Sequence, residues 1–117
     1  MKIWLDDVRQ PPNGSWTLVQ TGEDAIEKLR NNLVEEISFD HDLGDGISGY
    51  DVAKWIEEMA SKDAIDQLIW RVHSANPVGR KNIEDAMHNA DKFWQYIRDL
   101  EEDEKEVIPR RGKDEWQ

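Results

Sequence analysis

Three short runs rich in apolar residues, each stopped by a polar cluster, constrain this chain more than any other feature. Ile3-Trp4-Leu5 runs into Asp6-Asp7. Ile37-Ser38-Phe39 runs into Asp40-His41-Asp42, and Ile69-Trp70-Arg71-Val72 into His73-Ser74-Ala75-Asn76. Between and after them lie segments whose apolar residues recur at steps of three and four, the helical period. Extended runs alternating with helical segments predict an α/β domain, a mostly parallel sheet of about four strands with helices packed on it.

The boundaries follow from local chemistry. Strands are expected at Lys2–Val8, Trp16–Val19, Glu36–Phe39 and Gln67–Val72. Thr21 is placed to cap a first helix, with Asp24 reaching back to it, and Ser48 with Asp51 repeats the arrangement. Asn76-Pro77 starts the last helix, Asn as cap and Pro in the first turn. That helix carries Ile83, Ala86, Met87, Ala90, Phe93, Trp94 and Ile97 on one stripe. From about Asp99 the stripe stops. The expected division is therefore a domain over 1–98 followed by an acidic helix extension and mobile tail over 99–117. Only Arg9 to Ser15 separate the first two strands, too few for a crossover helix between parallel neighbours. Either a loop replaces the helix there or the second strand runs irregularly or in another direction.

Charge and composition limit function. The 117 residues carry a net charge of −11. Residues 99–106 supply six acids against Lys105 and residues 107–117 a net +1, which leaves −7 for the first 98. Such a body repels a bare polyanion over a broad surface, so a phosphate ligand needs a metal or local cations. No Cys is present, so disulfides and thiolate metal sites are excluded. No run is long enough to span a membrane, and the N-terminus lacks the order of a secretory leader. A cytoplasmic protein is expected.

In open α/β sheets ligands bind beyond the carboxyl ends of the strands, where all three clusters fall. Asp6 and Asp7 read either as oxygen ligands for Mg²⁺ or Mn²⁺ or as a solvated strand end with Asp7 paired to Arg9. Asp40-His41-Asp42 reads as two acids about an imidazole or as a structural turn. His73-Ser74-Ala75-Asn76 reads as a structural strand end and cap, or as a phosphate site using the helix amides with Arg80 and Lys81 in its first turn. His41 and His73 together could serve as general base and general acid on a cyclic phosphodiester; a metal-activated water is the other route. His88 lies mid-helix and reads as structural or solvated. There is no phosphate-binding Gly-x-x-x-x-Gly-Lys loop, no Gly-x-Ser-x-Gly elbow and no His-Glu-x-x-His pair. Of six Trp, those at 4, 55, 70 and 94 are expected in or beside the core; Trp16 borders the first loop and could stack a base, with core packing the simpler reading.

The acidic pair after the first strand, Asp40 after the third, Ser74-Ala75 after the fourth and the Leu43-Gly44 and Gly49 that follow Asp40 resemble a response-regulator receiver domain. On that resemblance Asp6 and Asp7 correspond to metal-binding acids, Asp40 to the phosphate acceptor and Ser74-Ala75 to the switch pair. The first crossover helix and the receiver's conserved-position Lys on a fifth strand have no counterpart, which argues against a phosphorylation switch. Ile3-Trp4-Leu5-Asp6-Asp7-Val8-Arg9 with Pro11-Pro12, Asp40-His41-Asp42-Leu43-Gly44, and Arg71-Val72-His73-Ser74-Ala75-Asn76-Pro77-Val78-Gly79 resemble a narrower group. These are the cyclic-phosphate processing receiver domains of bacteria and their phages, over roughly residues 1–90.

The resemblance implies a small receiver-like (flavodoxin-like) fold and metal-assisted, phosphoesterase-type processing of cyclic phosphate ends of RNA or nucleotides. Asp6, Asp7 and Asp40 would hold a divalent metal, Mg or Mn rather than Zn. His41 and His73 would move protons with Asp42 orienting His41. Ser74, Asn76, Arg80 and Arg9 would hold the phosphate. The alternative reading is a non-catalytic acidic protein, phage-encoded and located in the host cytoplasm, that binds and inhibits a host partner or mimics nucleic acid. It draws on the net charge and the acidic stretch.

Overall fold

A computed structural model describes residues 1–31 and 33–110. Strands β1 (Lys2–Leu5) and β2 (Trp16–Val19) follow one another, and helix α1 (Gly22–Arg30), strand β3 (Glu36–Phe39), helix α2 (Gly49–Ser61), strand β4 (Ile69–Val72) and helix α3 (Pro77–Arg110) then alternate. The strands form one sheet in the order β2-β1-β3-β4, and every neighbouring pair is parallel. This is the receiver-like α/β arrangement that the alternation predicted, with four strands and a long C-terminal helix.

The open question about β2 is resolved: it is parallel to β1, and a loop stands where the crossover helix would be. The expected first strand stops at Leu5 because Asp6 turns the chain. Its Oδ1 accepts from the amides of both Val8 and Arg9, each at 2.8 Å. Trp4 Nε1 then pins the loop by donating to the Arg9 carbonyl. Thr21 caps α1 through its hydroxyl, but Asp24 does not reach back; its carboxylate pairs with Lys28 one turn on. Ser48 and Asp51 make the full reciprocal box at α2. Asn76 caps α3 by accepting from Val78 N and Gly79 N.

The core lies on one face of the sheet. Alternation points Ile3, Leu5, Val19, Ile37, Phe39 and Val72 the same way, and all are buried. They meet Ala25 and Leu29 of α1, Val52 and Ile56 of α2, and Ile83, Met87 and Trp94 of α3 in one cluster. Trp94 is sunk into it, with Nε1 donating to the Ile65 carbonyl. Trp55 and Trp70 pack half-buried at its margin. Trp4 is half-buried as well, but on the opposite face of the sheet and outside this cluster.

Helix α3 has 34 residues, a length of about 50 Å at 1.5 Å per residue, and continues without a break through Asp99 to Arg110. The sequence's acidic extension is thus the continuation of α3. Residues 111–117 of the expected tail lie outside the described residues. Among the described residues no helix is long and apolar enough to cross a membrane.

Candidate functional site

Strand register assembles the site. Leu5 pairs with Phe39 and Phe39 with Val72, so the three strands end level. The ladder runs one step further: Asp40 N donates to Leu5 O and His73 N to Phe39 O, both at 2.9 Å, and Asp6 N to Val19 O at 3.1 Å. Asp6, Asp40 and His73 therefore sit side by side in fixed backbone positions at one edge. The oxygens of Asp6, Asp7 and Asp40 all lie within 4.8 Å of one another.

His73 locks this group from behind. Its ring lies flat on Trp4, with centroids 3.9 Å apart and planes 6° from parallel. Nε2 is 3.0 Å from Asp6 Oδ2, and Nδ1 is 2.8 Å from Ser38 Oγ. Burial is the main cause that pulls the His73 pKa below its ordinary value, against the pull of Asp6 and Asp40 in the other direction. The ring is therefore neutral near pH 7, with one donor and one acceptor. A carboxylate can only accept, so Nε2–H donates to Asp6, and Nδ1 accepts from the Ser38 hydroxyl. Both ring nitrogens are engaged.

The two buried acids differ. Burial pushes the Asp6 carboxyl up, but the amides of Arg9 and Val8 and the His73 donor outweigh it and hold its pKa below the usual value. Asp40 is held above it, first by burial and then by the negative charge of Asp6; its main compensation is the His41 amide. A carboxylate pair packed this way is relieved by a proton or by a cation. The donor set therefore fits a metal ion: three carboxylates, all hard oxygen ligands, two of them buried and fixed. Arg9 approaches Asp6 Oδ2 at 3.8 Å, rather than Asp7 as the strand-end reading had it.

His41 lies on the other side of the sheet edge. Its Nδ1 is 2.9 Å from Asp42 Oδ1. Its ring presses on the first turn of α3, where a Cβ on Gly79 would fall 2.4 Å from His41 Cγ. The close approach that Gly79 allows is thus to an imidazole. Gly49 is under a similar constraint: a Cβ there would meet the Asp40 carbonyl oxygen at 1.9 Å, while its amide donates to His41 O. The hydrogen-bond partners of the two rings differ, Asp42 for His41 and Asp6 and Ser38 for His73.

Ser74 is buried and its Oγ accepts from Asn76 N. Asn76 Oδ1 takes up the amides of Val78 and Gly79, and Pro77 has none to offer, so the start of α3 is already satisfied by its own cap. Arg80 is half-exposed and pairs with Glu84, and Lys81 pairs with Asp85. His88 packs edge-on to Trp70 at 5.0 Å. Ser38 and Trp4 are the site residues that the sequence did not single out. Their signal is register: Ser38 is opposite Trp4 and two residues ahead of Asp40.

A family model, the cyclic-phosphate processing receiver domain, matches residues 1–89. No curated protein and no solved structure matches the chain.

Proposed function

Because the chain belongs to the cyclic-phosphate processing receiver domain family, we propose that it opens cyclic phosphates on nucleotides or RNA ends at the Asp6, Asp7 and Asp40 cluster, with a divalent cation bound there. The observation that carries this reading is the convergence of one oxygen from each of the three carboxylates within 4.8 Å. All-oxygen ligation favours Mg²⁺ or Mn²⁺ over Zn²⁺. Such a cation supplies Lewis-acid charge to a phosphoryl oxygen.

The chain's own residues divide the remaining work. His41 is assigned the proton transfer, at Nε2, with Asp42 holding Nδ1 and the ring orientation. His73 is assigned a positioning role, because both its nitrogens are engaged and its Nε2–H fixes Asp6. Arg9, exposed beside Asp6, and the Ser74 hydroxyl are assigned as donors for the phosphate. Arg80 and Asn76 would join them only by giving up Glu84 and the helix cap.

The test is hydrolysis of 2′,3′-cyclic nucleotides and of RNA with a cyclic end, with Mg²⁺, Mn²⁺, Zn²⁺ or chelator. Turnover that requires metal, is lost in Asp7→Asn and His41→Ala, and survives removal of residues 99–117 is the expected outcome. A folded protein with no turnover on any of these substrates overturns the reading. Removal of the acidic extension separates it from the acidic-binder alternative, which depends on that stretch.

A further inference from the structure

Sheets made wholly of parallel strands have both faces covered in nearly all proteins. Here the helices and their core take one face. The register places Lys2 and Trp4 of β1, Trp16 and Leu18 of β2, Glu36 and Ser38 of β3, and Ile69 and Arg71 of β4 on the other. None of the apolar residues among them belongs to the core cluster, and Ile69 is 60% exposed. Trp16 and Trp4 meet edge to face at 5.7 Å, and Trp4 stacks on His73, so an aromatic row leads from the sheet edge to Asp6.

The exposed charge on the strands of this face and its bordering loop is basic, while the acids paired with it are buried. Lys2 lies over Trp16 at 4.5 Å, and the Arg9 and Arg71 side chains are 53% and 65% exposed. Against them stand two buried acids, Glu36, paired with both Arg71 at 2.8 Å and Lys2 at 3.9 Å, and Asp6, 3.8 Å from Arg9. The loop from Arg9 to Ser15 that borders the face contains no acid. Cations interleaved with indoles are the chemistry of single-stranded nucleic-acid binding: the rings stack on bases of any identity and the cations follow the backbone. A second copy of this chain fits less well, because an isologous contact would set the same three cations against themselves.

We propose that this open sheet face binds single-stranded nucleic acid, with Trp16 and Trp4 as the stacking platform and Lys2, Arg9 and Arg71 as phosphate contacts. The inference stands on the sheet face and not on the reaction; it deepens the proposed function by making the substrate a polynucleotide whose end reaches the acid cluster.

The experiment is fluorescence anisotropy of a short single-stranded RNA ending in a plain 3′-hydroxyl, so that no cyclic phosphate is needed and a lack of catalysis leaves the result intact. Saturable binding is expected, with a log–log salt slope of about −2 for three released counterions. Trp16→Ala should weaken it about 5- to 100-fold, the effect of losing one base stack, and Trp16→Phe should restore most of it. Arg71→Gln, whose amide can still donate to the nearly buried Glu36 and whose folding is checked by circular dichroism, should shrink the slope by about 0.7. Three results overturn the proposal: no saturable binding by the wild type, binding indifferent to both Trp16→Ala and Arg71→Gln, or a sedimenting dimer that Trp16→Ala dissociates and RNA does not.

Discussion

His73 Nε2 donates to Asp6 Oδ2 across 3.0 Å while Ser38 Oγ donates to Nδ1 of the same ring across 2.8 Å. Three strands are thereby tied together by side chains directly beneath the acid cluster. Ser38 is 1% exposed, so removing its hydroxyl leaves a small void and takes the donor from Nδ1 of the half-buried His73. Ser38→Ala is expected to cost about 1–3 kcal/mol in urea denaturation. It should also loosen Asp6 enough to weaken metal binding, which titration calorimetry reads. Unchanged stability and unchanged metal affinity would refute the relay.

Asp40 has a raised pKa because it is buried beside Asp6. Asp40→Asn should therefore raise the melting temperature of the metal-free protein by removing like-charge repulsion. The same variant should lose the stabilisation that saturating Mg²⁺ or Mn²⁺ gives the wild type, about 2.7 kcal/mol at a hundredfold excess over Kd. The opposite signs in the two conditions are the diagnostic.

The His73 pKa lies below its ordinary value, mainly through burial. In the unfolded chain the imidazole takes up its proton first, near pH 6.5. Its contribution to stability is complete above that pH and is lost as pH falls from there through the folded-state value. Urea midpoints of metal-free protein should accordingly drop from pH 7 to pH 5.5, with a shallower drop in His73→Asn. Asp40 works with the opposite sign at lower pH: its contribution is present below about 3.8 and lost as pH rises through its raised folded value.

Gly49 and Gly79 should separate fold from chemistry. A methyl at Gly49 meets the Asp40 carbonyl, which is backbone and cannot yield cheaply. Gly49→Ala is expected to cost about 3 kcal/mol or more. The nearest atoms to a methyl at Gly79 are those of the His41 ring, Cγ at 2.4 Å first, so the whole imidazole must rotate away, a side-chain move rather than a backbone one, and Ala in a helix offers up to about 1 kcal/mol in return. Gly79→Ala should thus remain folded by circular dichroism while losing about 100-fold in turnover, if His41 is the proton carrier.

The acid cluster was legible because it depends on little beyond strand ends. Asp6-Asp7, Asp40-His41-Asp42 and His73-Ser74 each follow a short apolar run, and parallel strands that end level bring such residues together. The different surroundings of the two imidazoles were not legible. They depend on which side of the sheet edge each ring occupies, and the chain leaves the extended conformation at the residues in question. The phosphate role expected of the α3 amides also changed once Asn76 Oδ1 was seen to occupy them.

By itself the sequence determined the α/β alternation, the polar strand ends, the caps at Thr21, Ser48 and Asn76, and the family resemblance. These are local or periodic properties, set by residues within a turn or two of one another. Only the tertiary structure decided that β2 is parallel without a crossover helix, that His73 is locked between Ser38 and Asp6, and that Trp4 and Trp16 face away from the core. Each of those depends on which face of the sheet the helices cover. A period of two along a strand marks two faces but does not say which one will be buried.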